Sequence, residues 1–240
     1  MNTFIEIAML FLLVVASYWI SAVVHELGHA VVGLVNGWIF DMLVVGPIGV
    51  RRKEGKLSIY FEKNIVLWGG VVGVFPTKND VDNTKILSRF LLGGPVASIL
   101  MGIVFLMICF IHFNYFLLLL GLMPISMGIV CLLPLKTGIS YTDGKRWRRL
   151  HNGGKDEAEE IAIFRMAVFD QLGNDEALWQ KSDFEALLDA DFPIYRYYGY
   201  YYLYRYYAIR DEVENKLKTF DILNDMKKDV SKSIIDNCKL

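Results

Sequence analysis

Two histidines and a glutamate interrupt an apolar stretch near the start of the chain, within VVHELGHAVVG from Val23 to Gly33. Residues four apart lie about 40° apart around an α-helix, so His25 and His29 project from one helix face, one turn apart. Two neutral imidazoles in this arrangement can bind one Zn²⁺ ion. Glu26 points close to the same site and can take a proton from a water that the metal acidifies. The spacing therefore predicts a zinc site in which Glu26 is the general base.

A catalytic zinc usually has three protein ligands and one open position, so a third ligand is needed. Asp143, within LLPLKTGISYTDGKRW, lies eight residues beyond the last apolar run. We expect it to emerge on the membrane side that His25 and His29 approach. Asp80 and Asp82 lie in a loop assigned to the same side and are alternatives. Spacing alone does not choose among the three carboxylates.

The residues around these groups are typical of a membrane protein. Ile7 to Val24 contains no charged residue, and Phe90 to Leu135 is a run of 46 residues without Asp, Glu, Lys or Arg. Uncharged stretches longer than about 18 residues are typical of transmembrane helices. Polar groups in lipid are costly unless partners stabilise them, and a bound cation would be such a partner for the HELGH side chains. We predict transmembrane spans at about residues 3–36, 90–111 and 115–135.

Lysine and arginine flank the predicted spans unevenly. They are frequent between residues 51 and 89 and between residues 136 and 149, and they are absent before the first span and from the turn at 112–114. Loops rich in these residues stay in the cytoplasm. The distribution predicts a multi-pass protein of the cell membrane with its N-terminus outside and its C-terminus in the cytoplasm.

The polar segment between the first two spans, at about residues 40–89, contains strand and turn signals. Gly46-Pro47 and Glu54-Gly55 favour turns between short extended segments. The run from Ile65 to Pro76 is too short and too glycine-rich to span a membrane, and it suits a strand or a re-entrant segment. We therefore predict a small membrane-associated β-sheet or hairpin insertion.

The chain becomes charged and rich in tyrosine after about residue 150. Helical spacing of apolar residues predicts helices at about 156–172, 193–210 and 211–226. Nine tyrosines lie between Tyr195 and Tyr207. We favour their packing within a helical hairpin over a peptide-binding or membrane-interface surface.

Three motifs occur in order in the first part of the chain: HELGH at the end of the first apolar helix, GGPVAS before the second, and a proline followed by Asp-Gly after the third. In this order and setting they resemble the site-2 protease family of intramembrane zinc metalloproteases, over about residues 5–150 and without the tail. The resemblance implies that His25, His29 and Asp143 are the zinc ligands and that Glu26 is the base. It also implies that the region GPIGVRRKEGKLSIYF, residues 46–61, belongs to a membrane-associated sheet whose edge pairs with an unfolded substrate strand.

Five further residues are candidates for substrate binding or gating. Gly94 and Pro95 favour either close helix approach with an opened turn that admits a substrate helix, or simple small-residue packing. Ser98 and Cys131 stand where the family often has asparagine, and Pro134 is the proline of the last motif. We assign these last three residues to substrate binding.

The predicted fold is a mainly α, polytopic membrane protein. Residues 1–150 form a three-helix transmembrane metalloprotease core with the small β insertion. Residues 151–240 form a soluble, cytoplasmic α-helical tail that faintly resembles a tetratricopeptide unit.

The leading hypothesis is a zinc endopeptidase within the lipid bilayer that cuts a membrane-anchored protein or peptide in or near its transmembrane segment. A second hypothesis is another HELGH membrane metalloprotease class with a downstream glutamate ligand, for which Glu157, Glu159 and Glu160 are the clustered candidates. A third is a catalytically inactive scaffold or immunity-type protein whose tail binds a protein partner. None of these hypotheses involves nucleic acid.

Overall fold

The computed structural model describes residues 3–78, 82–138, 140–171, 176 and 179–238. Among these residues, three helices are long and apolar enough to cross a membrane. They are α1, Thr3–Val35; α2, Asp82–Ile111; and α3, Tyr115–Leu132. The predicted fold class, a mainly α membrane protein with a small sheet, is confirmed. Helix α2 begins at Asp82 and not near residue 90, because its first turns are polar and an apolar criterion does not detect them.

The three helices approach one another closely where glycines face a neighbouring backbone. A Cβ placed on Gly93 of α2 would lie 2.6 Å from the backbone oxygen of Gly28 in α1. A Cβ on Gly102 of α2 would lie 2.5 Å from the backbone oxygen of Gly121 in α3. Small residues permit such contact between spanning helices. The first of these contacts brings the backbone of α2 beside the HELGH segment of α1.

Helix α2 continues without a break through Pro95, whose side chain is buried. A Cβ on Gly128 of α3 would lie 2.7 Å from the Pro95 carbonyl oxygen. Proline removes one intrahelical hydrogen bond, and tightly packed neighbours keep such a helix intact. The structure therefore shows close helix approach at Gly94 and Pro95, and a role of these two residues in admitting a substrate stays a prediction.

The residues between α1 and α2 form an antiparallel sheet with strand order β3-β2-β1-β4. Its strands are β1, Ile39–Val45; β2, Ile48–Lys53; β3, Lys56–Phe61; and β4, Val71–Phe75. The predicted turns are found at Gly46 and Gly55, where φ is +58° and +79°. The segment predicted as one strand or re-entrant element divides into a short 3₁₀-helix, Ile65–Gly69, and β4.

Further helices follow α3 along the chain. They are α4, Asp143–Asn152; α5, Gly154–Gln171; α6, Lys181–Ala186; α7, Pro193–Ile209; α8, Val213–Met226; and α9, Lys232–Asn237. The sequence predicted α5, α7 and α8 but not the shorter α4, α6 and α9. The chain divides into two compact units, one of Met1–Thr137 with Tyr141–Trp147 and the other of Gly138–Ser140 with Arg148–Leu240.

Tyrosines of α7 form much of the core of the second unit. Tyr197, Tyr201 and Tyr202 are buried together with Phe169 and Phe184. The rings of Phe184 and Tyr202 stack with their centroids 5.5 Å apart. These side chains pack within a helical assembly, which is the interpretation that the sequence favoured.

Candidate metal centre

Three side chains from two distant parts of the chain converge on one point. His25 Nε2 lies 3.2 Å from Asp143 Oδ2, and His29 Nε2 lies 3.5 Å from the same oxygen. The two Nε2 atoms are 3.3 Å apart. Ligands at about 2.0–2.2 Å around a tetrahedral zinc lie roughly 3.3–3.6 Å from one another. The triangle therefore has the size that one zinc ion requires, and a His-His-Asp donor set suits zinc.

The Nδ1 atoms of both imidazoles lie within hydrogen-bond distance of residues in α2. His29 Nδ1 lies 2.6 Å from the carbonyl oxygen of Phe90, and His25 Nδ1 lies 3.0 Å from Ser98 Oγ. A carbonyl oxygen can only accept a hydrogen bond, so His29 Nδ1 carries the proton and Nε2 presents a lone pair. Hydrogen bonds of this kind fix the tautomer and ring orientation of metal-binding histidines. Both rings are held with Nε2 toward Asp143.

Gly94 of α2 leaves the space into which both Nε2 atoms point. A Cβ placed on Gly94 would collide with His29 Nε2 and would lie 2.8 Å from His25 Nε2. The sequence predicted a gating or packing role for Gly94. In the structure, its missing side chain is what allows α2 to pass beside the two rings.

Asp143 is the first residue of α4, and a short loop after α3 presents it. Thr142 Oγ1 donates to the carbonyl oxygen of Leu133 at 2.5 Å and accepts from the backbone N–H of Leu135 at 3.1 Å. A Cβ on Gly144 would collide with the backbone oxygen of Leu132 at the end of α3. The Thr-Asp-Gly sequence thus closes the loop and lets α4 start against the end of α3.

Burial alone would raise the pKa of the Asp143 carboxyl group. The rings of His25 and His29, when protonated, donate hydrogen bonds to it and carry positive charge, and these effects outweigh burial and lower the pKa below its ordinary value. A carboxylate anion is the form that binds a metal ion.

Glu26 lies beside this triangle and under the start of β4. Its side chain is almost buried, and the backbone N–H of Val72 donates a hydrogen bond to its carboxylate. Gly70 has a φ of +117°, and a Cβ there would lie 2.7 Å from Glu26 Oε1. The segment that joins the 3₁₀-helix to β4 therefore holds Glu26 in place.

The other carboxylates considered from the sequence have different settings. Asp82 is exposed and pairs with Lys85 at 2.9 Å, and Asp80 lies outside the described residues. Glu159 and Glu160 are buried against Arg149. Among the described residues, the group that could hold a metal ion consists of His25, His29 and Asp143, and it does not include Glu157, Glu159 or Glu160.

Three residues assigned to substrate binding have contrasting positions. Ser98 is fully buried against His25, so the structure gives it a contact with a ligand histidine. Cys131 is half-buried in the last turn of α3, and Pro134 is exposed just beyond that helix. A contact of any of the three with substrate stays a prediction.

The site also contains features that the sequence did not identify. The Phe90 carbonyl and the Val72 N–H belong to the backbone, and a motif search has no means to find them. Gly70 lies in a Gly-Gly pair, which signalled only irregular backbone. Thr142 could have been found, because a threonine before an Asp-Gly pair is a common start of a helix.

The family model described as Peptidase family M50 matches residues 11–235. The chain belongs to peptidase family M50. This is the site-2 protease family, so the resemblance seen in the motifs is confirmed. No curated protein and no solved structure matched the chain.

The extent of the M50 match corrects one prediction. The sequence motifs suggested that the resemblance ended near residue 150, whereas the match continues to residue 235. Motifs mark only the residues that carry chemistry, and the tail contains none of them. The helical tail is therefore part of the family match.

Membership in M50 gives the coarse biochemical class. Members of this family are zinc metallopeptidases of membranes. The converging His-His-Asp triangle and the adjacent Glu26 fit that class, as do the three apolar helices among the described residues.

Proposed function

We propose that this M50 member is an intramembrane zinc endopeptidase that cuts a membrane-anchored protein or peptide in or near its transmembrane segment. The observation that carries the proposal is the triangle of His25 Nε2, His29 Nε2 and Asp143 Oδ2, with separations of 3.2, 3.3 and 3.5 Å. His25 and His29 lie in α1, a helix of transmembrane length, and this supports a substrate that also lies in the membrane.

Each residue of the centre has a separate role. His25, His29 and Asp143 would hold zinc, which when bound acidifies water and polarises a carbonyl group. Glu26 accepts the proton of the attacking water and then donates it to the leaving amine. The hydrogen bond from Val72 orients the Glu26 carboxylate for both transfers. Ser98 and the Phe90 carbonyl keep the two imidazoles turned toward the centre.

The position of β4 suggests how a substrate segment is held. Strand β4 lies at one end of the described sheet and pairs with β1. Gly70 and Val72, at its start, contact Glu26. A peptide bond can be cut only when its backbone is extended and accessible, and sheet edges bind extended chains through backbone hydrogen bonds. We place the unwound substrate segment along β4, beside Glu26.

We also propose that the N-terminus lies outside the cell membrane and the tail lies in the cytoplasm. The support is the distribution of lysine and arginine, which are frequent in 51–89 and 136–149 and absent before α1. Labelling of single cysteines introduced near residue 3 and near residue 230 with an impermeant reagent in intact cells tests this. Labelling at the tail position alone would contradict it.

The decisive variant for the role of Glu26 is Glu26→Gln, because it keeps the size of the side chain and removes its basicity. Zinc content should stay at the wild-type level, and cleavage should fall by about 10²–10⁴-fold, the usual contribution of a general base. Cleavage is measured by comparing new N-termini of membrane proteins in cells that produce the wild type or the variant.

The matched control is Glu6→Gln, the same change in an exposed residue of the same helix. It should leave both zinc content and cleavage unchanged. If Glu26→Gln produced the same new N-termini as the wild type at a similar rate, the proposed role of Glu26 would be wrong.

A further inference from the structure

The hairpin of β2 and β3 has one exposed, apolar face. Directly paired residues of antiparallel strands lie on the same face, and every second residue of a strand shares it. The pairs on this face, which we call the apolar face, are Ile48 with Phe61, Val50 with Ile59, and Arg52 with Leu57. Leu57, Ile59 and Phe61 are 68%, 76% and 66% exposed. Exposed apolar surface of this kind marks an interaction with a membrane or with another protein.

The same hairpin ends in a cluster of positive charge, which we call the basic tip. The tip consists of four exposed residues, Arg51, Arg52, Lys53 and Lys56, around the turn at Glu54 and Gly55. Glu54 supplies the one negative charge of this segment, so the tip is strongly cationic. A surface that is apolar along its length and cationic at its end complements an anionic phospholipid, which has apolar chains and a negatively charged headgroup.

Contacts within the first unit define how the sheet lies along α1. A Cβ on Gly46, just after β1, would lie 3.0 Å from the Trp19 ring. A Cβ on Gly33 would lie 2.8 Å from Val74 of β4, which pairs with Phe40 of β1. From Trp19 to Gly33 a helix rises about 21 Å, and from Phe40 to Gly46 a strand rises about 20 Å. Strand β1 therefore runs alongside α1 in the opposite direction, and β2 runs back in the direction of α1.

This alignment brings the basic tip level with the end of α1. Arg51 pairs with Met42 of β1, so Lys53 lies level with the part of β1 that is next to Gly33. From Glu6 to Gly33 a helix rises about 40 Å, which is the thickness of a bilayer with its headgroups. The tip therefore lies at the height of lipid headgroups when α1 crosses a membrane. The apolar face extends from the tip toward the interior of the bilayer.

A groove between α1 and the sheet continues the apolar face. Its volume is about 390 Å³ and its lining is apolar. Residues that line it include Trp19, Ile20 and Val23 of α1 and Leu43, Val45 and Val50 of the sheet. Val50 belongs both to the groove and to the apolar face, so the two surfaces are continuous. An acyl chain that lies along the face can therefore continue into the groove.

We propose that the hairpin binds an anionic phospholipid, with the headgroup phosphate at the basic tip and an acyl chain along the apolar face and the groove. Guanidinium and ammonium groups are the usual protein partners of phosphate oxygens. Arg52 lies at the end of the apolar face, where the chain of such a lipid meets its headgroup. The proposal requires that α1 crosses a membrane, but it does not depend on the zinc chemistry.

The test measures which lipid contacts the full-length protein in phosphatidylcholine vesicles. Brominated phosphatidylglycerol or brominated phosphatidylcholine replaces part of the lipid, and bromine quenches the fluorescence of tryptophans that it approaches, such as Trp19 in the groove. The wild type should be quenched at a severalfold lower fraction of the brominated phosphatidylglycerol. The double variant Arg52→Gln, Lys53→Gln should lose most of this preference, because each basic residue near a membrane strengthens the binding of anionic lipid about fivefold.

A matched control removes two cations from elsewhere in the same unit. The double variant Lys78→Gln, Lys85→Gln changes exposed lysines between the end of β4 and the first turn of α2. It should keep the lipid preference of the wild type. Zinc content is measured in parallel and should be unchanged in both double variants, because none of the four residues belongs to the group that could hold a metal ion.

Spin labels on neighbouring residues of β3 test which face contacts lipid. Adjacent residues of a strand point to opposite faces. The labels are attached to Ile59→Cys on the apolar face or to Ser58→Cys on the other face, in a chain whose three native cysteines are replaced by alanine. The label at residue 59 should be accessible to oxygen dissolved in the lipid, and the label at residue 58 should be accessible to a water-soluble paramagnetic chelate.

Equal quenching of the wild type by the two brominated lipids, or an equal loss of preference in both double variants, would overturn the inference. A label at residue 59 that reports water would overturn it as well. Unchanged lipid preference together with reduced cleavage in the Arg52→Gln, Lys53→Gln variant would overturn it and would show that the tip binds a substrate segment instead. Absence of zinc from the wild type would contradict the proposed function and leave the lipid measurement intact, so the two failures are distinguishable.

Discussion

At the residue scale, the metal centre depends on what the histidines contact away from the metal. Each imidazole has one nitrogen bonded to α2 and the other directed at Asp143. Because the Phe90 carbonyl can only accept, the tautomer of His29 is set by the backbone and needs no further side chain. The ligand geometry is thus built into the contact between α1 and α2, before any ion binds.

Gly94 provides the sharpest residue-scale prediction. Gly94→Ala should abolish zinc binding, because the new methyl group would occupy the space of His29 Nε2 and would lie 2.8 Å from His25 Nε2. Zinc content of the purified variant measures the effect. Gly102→Ala is the control, because it overpacks the same helix against α3 at Gly121 and Ile125.

Gly102→Ala should lower the thermal stability but should keep zinc in the molecules that remain folded. Full zinc content in a folded Gly94→Ala variant would show that the metal does not lie beside Gly94.

The sequence predicted some residues of the metal centre more directly than others. The spacing of His25, Glu26 and His29 predicts a shared helix face without knowledge of the fold. Asp143 was selected only through motif order, because 118 residues of chain separate it from His25 and no local rule spans that distance. The bonding of Ser98 to His25 could not be predicted, since it depends on the register between α1 and α2.

At the element scale, β4 and the 3₁₀-helix before it form the side of the centre that holds Glu26. Gly70→Ala should lower the cleavage rate while zinc content stays unchanged, because the added methyl group would lie 2.7 Å from Glu26 Oε1 and displace that carboxylate. The measurement combines zinc analysis with the N-terminal comparison described above for Glu26.

Gly55→Ala separates this contact from backbone strain. Gly55 has a φ of +79°, also a left-handed conformation, but a Cβ there would meet no atom within 4 Å. We expect wild-type cleavage from Gly55→Ala. Equal losses in the two variants would show that strain, and not the position of Glu26, is responsible.

An ion pair joins Arg165 of α5 to Asp183 of α6, with 2.9 Å between Nη1 and Oδ1. This pair gives a prediction about the pH dependence of stability. Asp183 is buried, and burial raises its pKa above the ordinary value of 3.8 despite the neighbouring Arg165. At pH values between the ordinary pKa of an aspartate and the raised pKa of folded Asp183, the folded state binds more protons than the unfolded state. The contribution of Asp183 to the free energy of unfolding therefore falls as pH rises through this range. Asp183→Asn should flatten this dependence.

Unfolding of the full-length protein, followed by protease cleavage within the tail between about pH 4 and pH 7, measures the slope. Asp189→Asn changes an exposed aspartate of the same unit and should leave the slope as in the wild type. A slope that Asp183→Asn did not alter would contradict the assignment.

Elements differed in how well the sequence predicted them. The run of 46 residues without a charged side chain predicted most of α2 and α3, because helices that cross a lipid bilayer must be almost entirely apolar. Helices α6 and α9 have six residues each, too few for a helical pattern to be recognised. Helix α4 was not predicted because DGKRWRRLHN is mostly polar and its apolar positions are few.

At the scale of the whole molecule, the described residues form one unit whose long helices are apolar enough to cross a membrane and a second, helical unit whose interior is built from tyrosine and phenylalanine. The apolar side chains on the outer faces of α1 and α2 are exposed in the structure, as expected of helices that lipid surrounds. The tail buries comparable side chains in a core of its own. The M50 match extends over both units, which motif spacing could not reveal because none of the three motifs lies in the tail.

The central claim is that one zinc ion is bound by two imidazoles of α1 and by the first residue of α4. The most direct measurement is the zinc content per chain of purified wild type, Asp143→Ala and Asp82→Ala, determined by mass spectrometry of the metal. Asp82 is an exposed aspartate that pairs with Lys85, so its variant controls for the loss of an acidic side chain. We predict about one zinc per chain in the wild type and in Asp82→Ala, and almost none in Asp143→Ala. Full zinc content in a folded Asp143→Ala variant would contradict the account.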